Sequence, residues 1–422
     1  MVSIKTLPNE ITVVMEPMEY LKSVSCGIWV RTGSANETAE NNGISHMIEH
    51  MLFKGTGKRS ALNLANDMAR IGGNMNAYTE KECTAFYVTT LTEHLGEALE
   101  ILGDMICGSV FSEEDVEKEK GVVLEEIDLY DDSPDDMVHE MLQKTVWPDH
   151  PLGFLISGEK SIVSGFTRRD LVDFWQTHYC GSNMVISMAG KFNPEQAVEW
   201  IIQSFGGLKP GMRIPAGSPP VYHRNLYLQQ KDIGQLHMNL AFPGIGELDE
   251  DRYALTILNS ILGGTESSRL FQQIREERGL TYSIFSYGSS YQSAGLLQID
   301  AVLNPEKADV VYTCIEDTIA RLIREGVSGE EVLCTKEQLK TELMIGNEST
   351  RSRMNRNGKE MLVLGRLTGL NDTVRRLEEV TEAEVSRLAE RYLDYSRASL
   401  ALIGDLSDGE NQLTKRLRVL YN

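Results

Sequence analysis

No apolar run in this 422-residue sequence approaches the roughly 18–20 residues that a membrane-spanning helix needs. The six cysteines (Cys26, Cys83, Cys107, Cys180, Cys314, Cys334) are scattered, and no two have Cys-x-x-Cys spacing. In a chain of this size they read as reduced thiols, which excludes a disulfide framework. The opening residues, MVSIKTLPNEITVVMEP, lack the apolar core of about 7–15 residues that marks a secretory signal. These absences set the expectation of a cytoplasmic protein without a membrane partner. Positive charge is also short: 41 Lys and Arg stand against 62 Asp and Glu, a net charge of −21. Phosphate is bound by cationic neutralisation, so nucleic acid is excluded as the main partner, while basic peptides are attracted.

What is present is ordinary globular material, 41% hydrophobic and 24% charged, enough at roughly 100–200 residues per domain for two or more units. The order of segments repeats. A strand-like run at Cys26–Gly33 precedes helical patterns at Ile44–Phe53 and Ala61–Ile71, an alternating strand at Thr84–Leu91, and helical patterns at His94–Cys107 and Glu113–Leu129. From His237 the same order returns: a strand at His237–Gly244, helices at Arg252–Leu262 and Ser267–Arg278, a strand at Gly295–Leu303, then helices at Glu306–Arg324 and Glu330–Ile345. Between the halves Gly206–Val221 is rich in Gly and Pro, the composition of a linker. The expected division is residues 1–212, a linker at 213–221, and residues 222–422. Alternating strands among helices predict an α+β fold of two homologous halves, each an antiparallel sheet flanked by helices.

The chemistry concentrates in His46-Met-Ile-Glu-His50. On a helix, residues i, i+3 and i+4 share a face, so His46, Glu49 and His50 lie together. Two imidazoles at that spacing can hold one Zn²⁺ at about 2.0–2.1 Å, and the carboxylate between them reaches a water at the metal and can take its proton. This is the inverted form of the His-Glu-x-x-His zinc peptidase pattern. The bland alternative is two histidines on an amphipathic helix. Zinc wants a third protein ligand, and candidates lie in Glu113–Tyr130, where Ser112 and the acids after it make a good helix start. Most of those acids read as a solvated face. Glu119 and Glu126, seven apart, share a stripe, with Val122 and Val123 on the apolar side one turn before Glu126. A partly buried carboxylate there suits a metal, although the pattern alone does not separate Glu126 from Glu125.

Over nearly its whole length the sequence resembles the inverted-zinc (HxxEH) M16 peptidases, which include pitrilysin, insulin-degrading enzyme and the β subunit of the mitochondrial processing peptidase, and in particular the single-chain bacterial members. The resemblance is anchored in Gly43-Ile-Ser-His-Met-Ile-Glu-His-Met-Leu-Phe-Lys-Gly-Thr56, Gly73-Asn-Met-Asn-Ala-Tyr-Thr79 and Glu119-Lys-Gly-Val-Val-Leu-Glu-Glu126. It implies Glu126 as the third ligand of one zinc per chain, Glu119 as an acid that orients a ligand, and Glu49 as the base. It also implies that Asn76 and Ala77 lie on an edge strand to which a peptide substrate adds, and that Arg275 and Tyr282 contact the bound peptide, with Tyr282 assisting the oxyanion.

The resemblance further implies two halves closing like a clam shell around a peptide chamber, a frequent homodimer, and endopeptidase action on extended peptides or unfolded precursor segments with basic residues. The rival within the family is a silent or partner-dependent subunit that only binds peptides. The second half cannot repeat the site: Leu255, Leu258 and Asn259 fall opposite His46, Glu49 and His50, and no histidine follows His237. The other six histidines read as structural or solvated.

Overall fold

Alternation decides which way the central strands face. In β3 (Ser23–Val30), preceded by β1 (Ser3–Thr6) and β2 (Thr12–Pro17), Val24, Cys26, Ile28 and Val30 enter one core while Trp29 enters another on the opposite face. With β4 (Asn74–Thr79), β5 (Thr84–Leu91) and β6 (Met184–Gly190) these strands form a six-stranded sheet in the order β1-β2-β6-β3-β5-β4, antiparallel except for the β2–β6 pair. A second sheet holds β7 (Leu226–Gln230), β8 (Leu236–Pro243), β9 (Thr281–Ser290), β10 (Gly295–Leu303) and β11 (Ser399–Gly404) in the order β7-β11-β8-β10-β9, again with one parallel pair, β7–β11. The two sheets repeat one plan, as the duplicated segment order predicts, and both are flanked by helices.

This computed structural model describes residues 2–406 and 412–421 and separates into two compact units. The units do not follow sequence order throughout. The first takes the chain up to Asp128, then Phe154–Gly217 and Met344–Leu367; the second takes Leu129–Gly153, Ser218–Leu343 and the chain from Thr368. Each half therefore gives one helix-bearing segment to the other unit. The chain passes from one to the other between Gly217 and Ser218, inside the Gly/Pro-rich stretch. All six cysteines are free, and burial pushes the Cys26 and Cys107 thiols up to about 12. Among the described residues no helix is long and apolar enough to cross a membrane.

In the first unit the donated helix Thr350–Leu364 covers the Trp29 face of the sheet with Met354, Met361 and Leu362. Glu16, on that face, accepts hydrogen bonds from Arg353 and from Asn357 Nδ2, the latter at 2.8 Å. Gly358 is the contact point: a Cβ there would stand 2.3 Å from Trp29 Cε3. In an open helix Gly→Ala stabilises by about 1 kcal/mol. Here Gly358→Ala is expected to destabilise by about 1–3 kcal/mol, because the fully buried indole has nowhere to go. Urea unfolding of the two proteins reads the sign directly.

Candidate metal centre

The helix Ile44–Leu52 is amphipathic, burying Ile44, Met47, Ile48, Met51 and Leu52. Its start is fixed by two features. Gly43 precedes it with φ 98°, a conformation that favours glycine, and a Cβ there would stand 2.7 Å from the Ser157 carbonyl oxygen. The buried Glu37 carboxylate then accepts from the backbone N–H groups of Gly43 (2.7 Å) and Ser45 (2.8 Å) and from Asn42 Nδ2 (2.9 Å). A carboxylate at this end satisfies donors that the helix leaves free and faces the positive end of its dipole. Glu37 is a support that the sequence reading did not single out.

The acidic helix Glu113–Asp132 starts where Ser112 predicts, with Ser112 Oγ accepting from the Asp115 N–H at 3.1 Å. Its buried stripe is Val116, Glu119, Val123 and Ile127. Val122, expected on the apolar side, is instead exposed, because it lies to one side of that stripe. Glu125 is exposed as well, whereas Glu126 turns to the histidines. Glu126 Oε2 lies 3.4 Å from His50 Nε2 and 3.8 Å from His46 Nε2, and one donor atom from each of the three residues falls within 4.8 Å of the others. Two ligands at about 2.0–2.1 Å from a tetrahedral ion stand about 3.3–3.4 Å apart. Two imidazoles and a carboxylate at this spacing suit zinc in both chemistry and size.

Electrostatics favour the same use. Burial, then the neighbouring His50, lowers His46 to about 4, so its ring is neutral at pH 7 with a lone pair available. Burial alone would lower His50 too, but Glu126 and Glu119 outweigh it and raise it. His50 Nδ1 is 3.3 Å from Glu119 Oε2, and Glu119 Oε1 is 2.6 Å from Lys54 Nζ. The buried Glu119 thus holds the outer nitrogen of His50 while Lys54 neutralises it, a partner that the sequence reading quoted without assigning. Glu49 accepts a 2.6 Å hydrogen bond from Thr79 Oγ1 at the end of β4. Burial raises the Glu49 carboxyl above the ordinary carboxylate range, and the Thr79 hydrogen bond and His50 draw it part of the way back.

Asn76 and Ala77 lie on β4, which among the described residues pairs with β5 alone and leaves its other edge open; the Ala77 N–H donates to Asn76 Oδ1 at 2.9 Å. Arg275 and Tyr282 belong to the second unit. There the Arg275 guanidinium sits 4.6 Å above the Phe271 ring, and Tyr282, at the start of β9, is 79% exposed. In that unit the helix Arg252–Asn259 buries Leu255 and Leu258, which stand where the duplication puts His46 and Glu49. It offers no imidazole to a metal.

Comparison with known proteins places the chain. The insulinase (peptidase family M16) profile matches residues 12–160, and the peptidase M16 inactive-domain profile matches residues 165–339. The chain is 38% identical over 403 residues to the uncharacterized zinc protease YmxG of Bacillus subtilis, covering 95% of this chain and 98% of that one. It is 35% identical over 412 residues to the uncharacterized zinc protease SCO5738 of Streptomyces coelicolor, covering 96% and 89%. Its fold matches the crystal structure of a protease from Helicobacter pylori with a TM-score of 0.90 at 23% identity, covering 96% of this chain and 99% of that one. By sequence along its length and by fold in both units, the chain belongs to the M16 (insulinase) peptidase family.

Proposed function

We propose that this protein is a zinc-dependent endopeptidase that cleaves extended peptides or unfolded precursor segments, with a bias towards basic residues. The observation that carries the proposal is the convergence of His46, His50 and Glu126 beside a carboxylate, Glu49, that is not needed as a ligand. A zinc ion held there would polarise the scissile carbonyl and make water acidic enough to attack near neutral pH. Glu49 takes the proton from that water and returns it to the leaving amine nitrogen; its raised pKa makes it a stronger base than an exposed glutamate. Thr79 fixes the carboxylate's orientation, and Glu119 with Lys54 fixes the ring of His50. The open edge of β4 at Asn76 and Ala77 receives the substrate backbone as an added strand, with the Asn76 side chain yielding the Ala77 N–H. Arg275 binds a substrate carbonyl or carboxylate, and Tyr282 donates to the oxyanion. The net charge of −21 draws cationic peptides. The assembly proposed is a homodimer; gel filtration of active protein reads its size.

The test is digestion of a diverse peptide library, read by mass spectrometry with and without chelator. Internal cuts that stop with chelator and return with zinc are expected. Cuts that persist in chelator, or no cuts with zinc restored, would overturn the proposal.

Thr79→Val separates orientation from binding. A hydrogen bond to a charged group contributes about 1.5–3 kcal/mol, so kcat is expected to fall about 10–100-fold with KM little changed. The base acts ionised, and Thr79 stabilises that form. Its loss therefore raises the Glu49 pKa and moves the acid limb of the kcat profile to higher pH. A variant with unchanged kcat and profile would remove Thr79 from the mechanism.

A further inference from the structure

The donated helix of the second unit, Pro134–Val146, carries a second imidazole–carboxylate group that the proposed hydrolysis does not use. Asp135 and His139 stand one turn apart on it, at i and i+4. Beneath them the sheet offers Asp300 on β10 and Asn239 on β8, directly opposite each other in register, and Tyr287 on β9. His139 Nε2 lies 3.4 Å from Asp300 Oδ2; its Nδ1 is engaged by Tyr287 Oη at 2.5 Å and Asn239 Nδ2 at 2.6 Å. His237, two residues before Asn239, places Nδ1 3.5 Å from Asp135 Oδ1. One ligand atom each from Asp135, His139 and Asp300 falls within 4.8 Å of the others.

The bland reading is a polar network that locks helix to sheet. Its hydrogen bonds do not close. Asn239 is fully buried; its Nδ2 donates to Tyr287 Oη at 2.9 Å and reaches Asp300 Oδ2 at 3.4 Å, yet its Oδ1 has no partner. Asp300 is 1% exposed, and among the described residues no Lys or Arg pairs with it or with Asp135. A buried carboxylate such as Asp300, facing a second one with no Lys or Arg beside it, is costly to hold. A divalent ion removes that cost, and the 3.4 Å spacing of His139 and Asp300 matches the about 3.3–3.4 Å between two ligands of a tetrahedral ion.

We propose that Asp135, His139 and Asp300 form a second divalent-cation site, with the chemistry of a first-row transition ion such as Zn²⁺ or Co²⁺. His237 steadies Asp135 from behind, and the His139 Nδ1–H donates to Tyr287 Oη, which leaves Nε2 with its lone pair facing the ion. The ion pins Leu129–Gly153, the segment contributed by the first half of the sequence, to the sheet of the second unit. Asp135 is 67% exposed, which leaves an entry path and makes this the weaker, faster-exchanging site.

The test is a Co²⁺ titration of chelator-stripped full-length protein, followed by visible absorption and metal analysis. Two equivalents are expected for the wild type, and one each for Asp300→Asn and His50→Ala, which remove different sites. Circular dichroism and retention of the tight metal by Asp300→Asn report its folding. If Asp300→Asn does not fold, the exposed Asp135→Asn takes its place, and loss of the second equivalent is again expected. A wild type that saturates at one equivalent, stoichiometry unchanged by Asp300→Asn or Asp135→Asn, or loss of both equivalents in His50→Ala would overturn the site.

Discussion

Glu49→Gln is expected to bind zinc like the wild type and to lower kcat by about 10²–10⁴-fold, the range that a positioned general base supplies. The substitution keeps the volume of the side chain and its acceptor for the 2.6 Å hydrogen bond from Thr79, so the helix and β4 stay as they are. What it removes is the ability to take a proton. Glu49 is not among the three residues whose donor atoms converge, so metal content should not change. The informative result is the pair of measurements: zinc retained, turnover lost. Full activity would show that another group accepts the proton, whereas loss of zinc would make Glu49 a ligand and require a new base.

His50→Ala should act in the opposite way. The zinc that survives dialysis into metal-free buffer is expected to disappear, and hydrolysis with it. His50 is the hub of the centre: its Nε2 faces Glu126 at 3.4 Å while its Nδ1 faces Glu119 at 3.3 Å. Alanine removes one of the three proposed ligands and leaves the buried Glu119 with Lys54 as its remaining ion-pair partner. The helix itself should persist, since Met47, Ile48, Met51 and Leu52 anchor it and none is more than 1% exposed. Glu119→Gln should give a graded result, about a 10–100-fold loss of zinc affinity, as for a residue acting through a ligand. Unchanged zinc content in His50→Ala after dialysis would mean that the tight metal sits elsewhere.

The rival reading of a silent, peptide-binding subunit is separated from the proposed one by these same variants, since only an enzyme has turnover to lose. The fold likeness at 23% identity does not choose between them.

The sequence by itself determined the parts of this protein that depend on nearest neighbours along the chain. A helix of 3.6 residues per turn puts His46, Glu49 and His50 on one face whatever surrounds them, and the duplicated order of strands and helices announced two sheets of one plan. Serine before a run of acids marked the start of the helix at Glu113 for the same local reason. Helical pattern alone left Glu126 and Glu125 open and only the resemblance favoured Glu126; that Glu126 turns to the histidines while Glu125 is exposed depends on which face the helix buries, and packing decides that. The exchange of Leu129–Gly153 and Met344–Leu367 between units left no trace in hydrophobic period, since a helix covers a sheet equally well whichever half of the chain supplies it. Asp135 and His139 did have helical ligand spacing, but their third member, Asp300, arrives from a distant strand. Long-range pairing brings such residues together, and only tertiary structure can specify it.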